Sequence, residues 1–273
     1  MISGLVCFVH TSETLVLELA LNMQSGVLSA IFVALLTVTT FAQAQVRVLA
    51  YGDSNTWGWK PVLDGRPVPR YADSQRWPGV MQKALGPGFA VEVNGLIGRT
   101  LDADLAEGVG QLEGQDQNGR RRLALALAEA GPVNLLVLVL GTNDLIDDLN
   151  RSPSEIAGGL GRLVEIARAG TVAHPGAPLQ RILVVVPPPL NDTGRTPFKD
   201  LFGPAAIQKS RQLAAEFERA GVALGIPVFD AGRVVRLDGV DGIHLSEQAH
   251  RALGQALARE VKRLTSTKPK PVE

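Results

Sequence analysis

This 273-residue chain holds one cysteine, four histidines and no net charge, and each of these shortages excludes a class of function. Cys7 stands near the N-terminus, so the body of the chain has no disulfide, no thiol nucleophile and no cysteine-based metal site. His10, His174, His244 and His250 are the full set of histidines, and no two of them have the spacing of a helical zinc motif. No metal site is therefore expected. Lys plus Arg and Asp plus Glu both total 27. That balance gives no electrostatic reason to expect nucleic acid or an anionic membrane surface as partner, and points instead to a small, neutral substrate. The 45% hydrophobic content is enough for one substantial core at this length, and no internal repeat is visible, so a single domain is expected.

The N-terminus is set apart by the uncharged run VLSAIFVALLTVTTF (27–41), which has the length of a signal-peptide core and is short for a membrane span. It ends in Ala42-Gln43-Ala44, a small-residue pattern that suits signal peptidase. The expectation is cleavage after Ala44 and export to the periplasm or the medium, with no stable membrane span after processing. The segment Met23–Gly26 lacks the usual Lys or Arg. Met23 as the true start of a weak signal behind an upstream extension, an uncleaved membrane anchor, or a cytoplasmic protein are the alternatives. Residues 1–44 are thus read as extension and signal peptide, 45–264 as the folded domain, and 265–273, TSTKPKPVE, as a solvated tail.

From residue 46 onward, apolar runs alternate with helical patterns. The runs 46–51, 89–94, 135–140, 182–186 and 227–231 are nearly continuous in apolar residues, as strands buried on both faces require. The segments 74–85, 120–130, 154–169, 205–224 and 246–264 repeat apolar residues at three- and four-residue spacing, as helices do. Ser152-Pro153 and Ser246 supply helix starts. The β-α alternation predicts an α/β domain, with about five parallel strands and helices on both faces.

Sheets of this kind bind ligands beyond the carboxyl ends of their strands. Gly52-Asp53-Ser54, the Gly95–Thr100 loop and Gly141-Thr142-Asn143-Asp144 fall there, and Asp241-Gly242-Ile243-His244 precedes the last helix. Alone, Gly-Asp-Ser is ordinary turn and cap chemistry, and Asp-Gly an ordinary turn. Together they have another meaning. A serine hydroxyl attacks only when a base takes its proton, and the base needs a partner that fixes its tautomer. Ser54, His244 and Asp241 are the residue types that do this. The resulting oxyanion needs donors, which Ser54 N–H, a backbone N–H between Gly95 and Gly98, and the Asn143 amide can supply.

These four blocks, in this order and spanning roughly residues 46–262, resemble those of SGNH (GDSL) hydrolases. The runs YGDSNTWGW (51–59), Asn94–Thr100 and Val240–His244 are similar to its arylesterase and acyltransferase subgroup. The resemblance implies a flavodoxin-like fold and a serine esterase acting on short-chain carboxylic aryl esters through an acyl-enzyme, with acyl transfer to alcohols as a further activity. It also implies Ser54 as nucleophile, His244 and Asp241 completing the triad, and Ser54, Gly98 and Asn143 as the oxyanion hole. No metal or organic cofactor is implied. The subgroup usually carries Leu where this chain has Asn55, which bears on pocket polarity. Trp59, Leu96, Ile97 and Asn55 are the expected substrate-binding residues, Trp57 is assigned to packing, and His174 and His250 to the surface. The loop 187–204 is long enough for a substrate rim or a subunit contact in a homo-oligomer. Lysophospholipid, thioester and acetylated carbohydrate are the alternative substrates, and an inactive secreted binding protein is the alternative outside catalysis.

Overall fold

The computed structural model describes residues 45–61, 63, 70–106, 116–170 and 181–266. The chain divides at Gln43 and Ala44, and all described residues lie on the C-terminal side of that division. The apolar run 27–41, Cys7, His10, His174 and the tail beyond Ser266 lie outside them.

Five strands, β1 (Val46–Gly52), β2 (Phe89–Gly95), β3 (Leu135–Val139), β4 (Arg181–Val186) and β5 (Val228–Asp230), pair in parallel in the order β2-β1-β3-β4-β5. The central strand β3, LLVLV, is buried at all 5 positions. At roughly 1.5–3 kcal/mol per fully buried aliphatic side chain, it contributes on the order of 10 kcal/mol before the entropy of ordering is counted. β2 departs from two-sided burial. It is an edge strand paired only with β1, and Glu92 and Val93 are exposed.

The helices are α1 (Ser54–Trp57), α2 (Trp77–Leu85), α3 (Gly119–Ala130), α4 (Pro153–Gly170), α5 (Pro204–Ser210), α6 (Leu213–Leu224) and α7 (Glu247–Ser266). They form two packing groups: α2 lies on α7, and α4 lies against both α3 and α6. At Gly254 of α7 a Cβ would come within 2.6 Å of the Trp77 carbonyl oxygen, so glycine is what allows α2 and α7 to approach closely. α4 begins with a capping box. Ser152 Oγ accepts from Glu155 N–H at 3.2 Å, and the Glu155 carboxylate accepts from Ser152 N–H at 2.8 Å. Ser246 Oγ likewise accepts from Ala249 N–H at 3.1 Å at the start of α7.

Two helix boundaries differ from the sequence pattern. α2 starts at Trp77 rather than 74, with Pro78 in its first turn, because residues 72–75 form a turn of their own closed by Gln75 N–H on the Ala72 carbonyl. The segment 205–224 is two helices. Ser210 Oγ donates back to the Ile207 carbonyl at 2.7 Å and accepts from Leu190 N–H at 2.9 Å, and this competing side-chain chemistry breaks the ladder between α5 and α6.

In this strand order the chain leaves β1 toward one edge of the sheet and returns to start β3 on the other side. The crevice at the carboxyl ends of β1 and β3 is the switch point where such sheets hold their ligands.

Candidate active site

Ser54 opens α1 directly after β1, with Asp53 as the N-cap, its carboxylate accepting from Asn55 N–H at 2.9 Å. Burial pushes the Asp53 carboxyl up to about 6, although the Asn55 N–H, the nearby His244 and the Thr142 hydroxyl act against it. Ser54 Oγ lies 3.0 Å from His244 Nε2, and His244 Nδ1 lies 2.8 Å from Asp241 Oδ2. The other Asp241 oxygen accepts from the N–H groups of Ile243, at 3.1 Å, and His244, at 2.9 Å. Burial alone would raise the Asp241 carboxyl. The hydrogen bonds from His244, through its side chain and its N–H, and from Ile243 N–H outweigh it and hold the group below the ordinary Asp value. Asp241 is therefore a carboxylate at neutral pH, and it favours the neutral tautomer that carries its proton on Nδ1, with the Nε2 lone pair facing Ser54.

The turn that places this pair depends on Gly242. Its φ is +75°, and a Cβ there would come within 2.5 Å of the Asp192 carbonyl oxygen, so any side chain would be strained and would push the turn off the 187–204 loop.

Asn143 follows β3 and donates through Nδ2 to the Arg99 carbonyl at 2.9 Å. Arg99 in turn joins the strand ends. Its guanidinium donates to the carbonyls of Gly52, at 2.9 Å, and Asn94, at 2.6 Å, and lies 4.1 Å from the Tyr51 ring centre. Asp144 accepts from Leu101 N–H at 2.6 Å and pairs with Arg151 at 2.6 Å, which holds the chain after Gly98 to the Asn143 turn. Burial pushes the Asp144 carboxyl up to about 6. Among the described residues, neither Ser54 N–H nor Gly98 N–H donates a hydrogen bond, so both are unspent donors beside the Ser54 hydroxyl.

A cavity of about 60 Å³ is lined by Ser54, His244, Gly98 and Asn143. Trp59 and Ile97 line it, together with Leu105, Ile146, Phe198, Leu201, Phe202 and Ile243. His244 contacts two aromatic rings, Trp59 stacked at 5.6 Å and Phe198 edge-on at 5.6 Å. Trp57 is half-buried, 6.0 Å from Trp59, with the Arg70 guanidinium 5.1 Å from its ring centre.

The structure thus brings Ser54, Asp241, His244, Gly98, Asn143, Trp59 and Ile97 together and separates two expected substrate residues from them. Leu96 lines a different cavity, with Asn94, Arg99 and Arg122, because it points away from Ile97 as the chain leaves β2. Asn55 is absent from the lining because its buried amide is bonded to the His244 loop. His250 is buried rather than on the surface. Its Nδ1 accepts from Trp77 N–H at 3.3 Å, its ring meets Tyr71 edge-on at 5.2 Å, and burial pushes its pKa down to about 3, so it is a neutral packing group. Sequence reasoning missed Arg99, Arg151, and the apolar lining from Leu105, Ile146, Leu201 and Phe202. The length of the 187–204 loop was the one available signal for the last two. Among the described residues there is no cluster of His, Cys, Asp or Glu able to hold a metal, and no helix is long and apolar enough to cross a membrane.

Comparison with known proteins finds relatives with the same fold. The profile of the GDSL-like lipase/acylhydrolase family matches residues 50–252. An aryl esterase from M. smegmatis is 39% identical, with a TM-score of 0.74 over 81% of this chain and 100% of its own. A carbohydrate acetylesterase from Sinorhizobium meliloti is 37% identical, with a TM-score of 0.74 and the same coverage. A putative arylesterase from Agrobacterium tumefaciens is 32% identical, with a TM-score of 0.69 over 80% of this chain and 98% of its own. No curated protein sequence matches the chain.

Proposed function

Because the chain belongs to the GDSL-like lipase/acylhydrolase family and is a carboxylic ester hydrolase, we propose that it cleaves short-chain esters through an acyl-enzyme on Ser54, with His244 as general base and Asp241 as the group that orients it. The observation that carries this reading is the hydrogen-bonded line from Ser54 Oγ through His244 to Asp241, opening on a small apolar cavity beside two unspent N–H groups. Ser54 Oγ attacks the ester carbonyl carbon as His244 Nε2 takes its proton. The oxyanion receives hydrogen bonds from Ser54 N–H, Gly98 N–H and the second Asn143 amide proton. The intermediate collapses, His244 returns the proton to the leaving alkoxide, and the acyl group stays on Ser54. Water then attacks the acyl carbon, giving a proton to His244, and Ser54 leaves with that proton. The catalytic domain is read as residues 45–264, behind an N-terminal extension and ahead of a short tail.

The cavity is read as the acyl site. About 60 Å³ holds a few non-hydrogen atoms, which suits acetyl to butyryl and works against the long chain of a lysophospholipid. Acetylated carbohydrate is the second reading, favoured by the acetyl-sized cavity and by the carbohydrate acetylesterase among the relatives. On p-nitrophenyl esters from acetate to octanoate, kcat/KM is expected to fall by about tenfold or more beyond butyrate, and Phe198→Ala to recover much of that loss by opening the cavity. A flat profile in the wild type would contradict the proposed acyl site.

With a primary alcohol added to the same assay, transesterification is expected to compete with hydrolysis. Trp59 and Ile97 offer the alcohol's hydrocarbon part an apolar wall worth about 1–2 kcal/mol, or roughly tenfold in partition. Trp59→Ala should lower that ratio. Hydrolysis as the only product would refute the alcohol site while leaving the triad standing. Export is proposed on the run 27–41 and Ala42-Gln43-Ala44. Intact mass of the protein from outside the cytoplasm should place its first residue near Gln45, and a soluble cytoplasmic protein retaining the run would refute it.

A further inference from the structure

We propose that Asn55 is a positioning residue for the reaction: its side-chain amide grips the two peptide groups on either side of His244 and sets the height of the imidazole over Ser54. Asn55 Nδ2 donates to the Ile243 carbonyl at 3.1 Å, and Asn55 Oδ1 accepts from Leu245 N–H at 2.9 Å. The side chain is buried, and it belongs to the residue directly after the nucleophile, on α1. One amide thus ties the element that carries Ser54 to the loop that carries its base.

The backbone hydrogen bonds of that loop show what Asn55 alone supplies. Ile243 N–H and His244 N–H go to Asp241, and the His244 carbonyl accepts from Gly239 N–H at 3.0 Å. These bonds, with Gly242 N–H to the Gly239 carbonyl at 3.1 Å, stay within the loop, and the Gly242 carbonyl accepts from Asn191 N–H at 2.9 Å, which ties the loop to the 187–204 segment rather than to α1. They fix its internal shape, and the Asp241–His244 pair fixes the rotation of the imidazole, but none of them sets the distance from the loop to α1. The Ile243 carbonyl and the Leu245 N–H are bonded across that gap, to Asn55. Cutting this tether leaves two buried backbone groups without protein partners, to be satisfied by a shift of the loop or by a mobile water, and neither holds the loop at a fixed distance from α1. The Ser54–His244 bond, at 3.0 Å, has little room for such a movement. A displacement of about 1 Å at a reacting pair can cost on the order of 10²-fold in rate.

This inference rests on Ser54 and His244 being nucleophile and base, and its test separates the two claims. Asn55→Leu matches the side chain roughly in size and removes both hydrogen bonds. Asn55→Ala leaves space for a water to satisfy the freed groups and so guards against a Leu variant that fails to fold. Active sites are counted by end-point labelling with an aryl phosphonate, and kcat is expressed per labelled site on p-nitrophenyl acetate. In both variants kcat is expected to fall by about 10- to 100-fold with KM within about twofold, since the cavity that binds the ester does not include Asn55. A purely structural residue would instead lower the melting temperature or the labelled fraction and leave kcat per labelled site unchanged. Folded Asn55→Leu or Asn55→Ala enzyme with kcat within about threefold of wild type overturns the proposal. Ser54→Ala and His244→Ala run beside them: if these keep their turnover, the catalytic reading itself has failed, and if they lose it while the Asn55 variants do not, only the positioning role has failed.

Discussion

Replacing Ser54 with alanine is expected to lower kcat on an aryl acetate by about 10⁴- to 10⁶-fold while the fold survives. The hydroxyl is small, and its side-chain hydrogen bond is to His244, so its removal deletes one net hydrogen bond of about 0.5–1.5 kcal/mol and little packing. In the proposed mechanism the same atom is the one that attacks. His244→Ala should be as damaging, because no other described group within the cavity can take the proton from Ser54. The double variant should be little worse than either single one. A nucleophile without its base and a base without its nucleophile are both idle, and the residual rate comes from the oxyanion donors and binding alone. The check is a set of three kcat values with circular dichroism on each protein. Losses that multiply in the double variant would mean that the two residues act independently.

The second large effect belongs to Asp241→Asn, expected to cost about 10⁴-fold in kcat with little change in KM. The size follows from how the two carboxylate oxygens are used. One accepts from the N–H groups of Ile243 and His244, and the other from His244 Nδ1. An amide has only one oxygen. If it stays on the two loop N–H groups, its NH₂ faces Nδ1, the imidazole proton moves to Nε2, and the nitrogen facing Ser54 becomes a donor that cannot accept the hydroxyl proton. If the amide turns, the loop loses its anchor under His244. Either arrangement disables the base, and the apolar cavity, in which Asp241 has no part, still binds the ester. A variant retaining a tenth or more of the wild-type kcat would show that orientation by Asp241 is not required.

The candidate site is legible in the sequence because each block sits immediately after a strand or before a helix, where the fold class alone says that residues converge. The switch point between β1 and β3 then brings Ser54 and Asn143 side by side, and the capped start of α7 follows the turn that holds Asp241 and His244. Periodicity does not say which face a strand-end residue takes. Leu96 and Ile97 are chemically alike and adjacent, yet only Ile97 reaches the cavity. Partner choice is equally hidden. Asn55 has the polarity of a pocket residue, but its donor and acceptor are spaced to bridge a backbone 188 and 190 positions away. Arg99 carries a charge that no sequence pattern marks for burial, and its planar fork ties Gly52 to Asn94 at the ends of β1 and β2. Part of the cavity's apolar lining comes from Phe198, Leu201 and Phe202, in a loop whose length was visible and whose path was not.

The covalent step on Ser54 is tested most directly by an aryl phosphonate, which a serine nucleophile attacks and which stops at the stable phosphonyl adduct. Peptide mass spectrometry of the inactivated enzyme is predicted to place the whole mass increment on Ser54, in proportion to lost activity, with no labelling of the Ser54→Ala protein. An increment on another residue, or inactivation that leaves Ser54 unmodified, would contradict the mechanism.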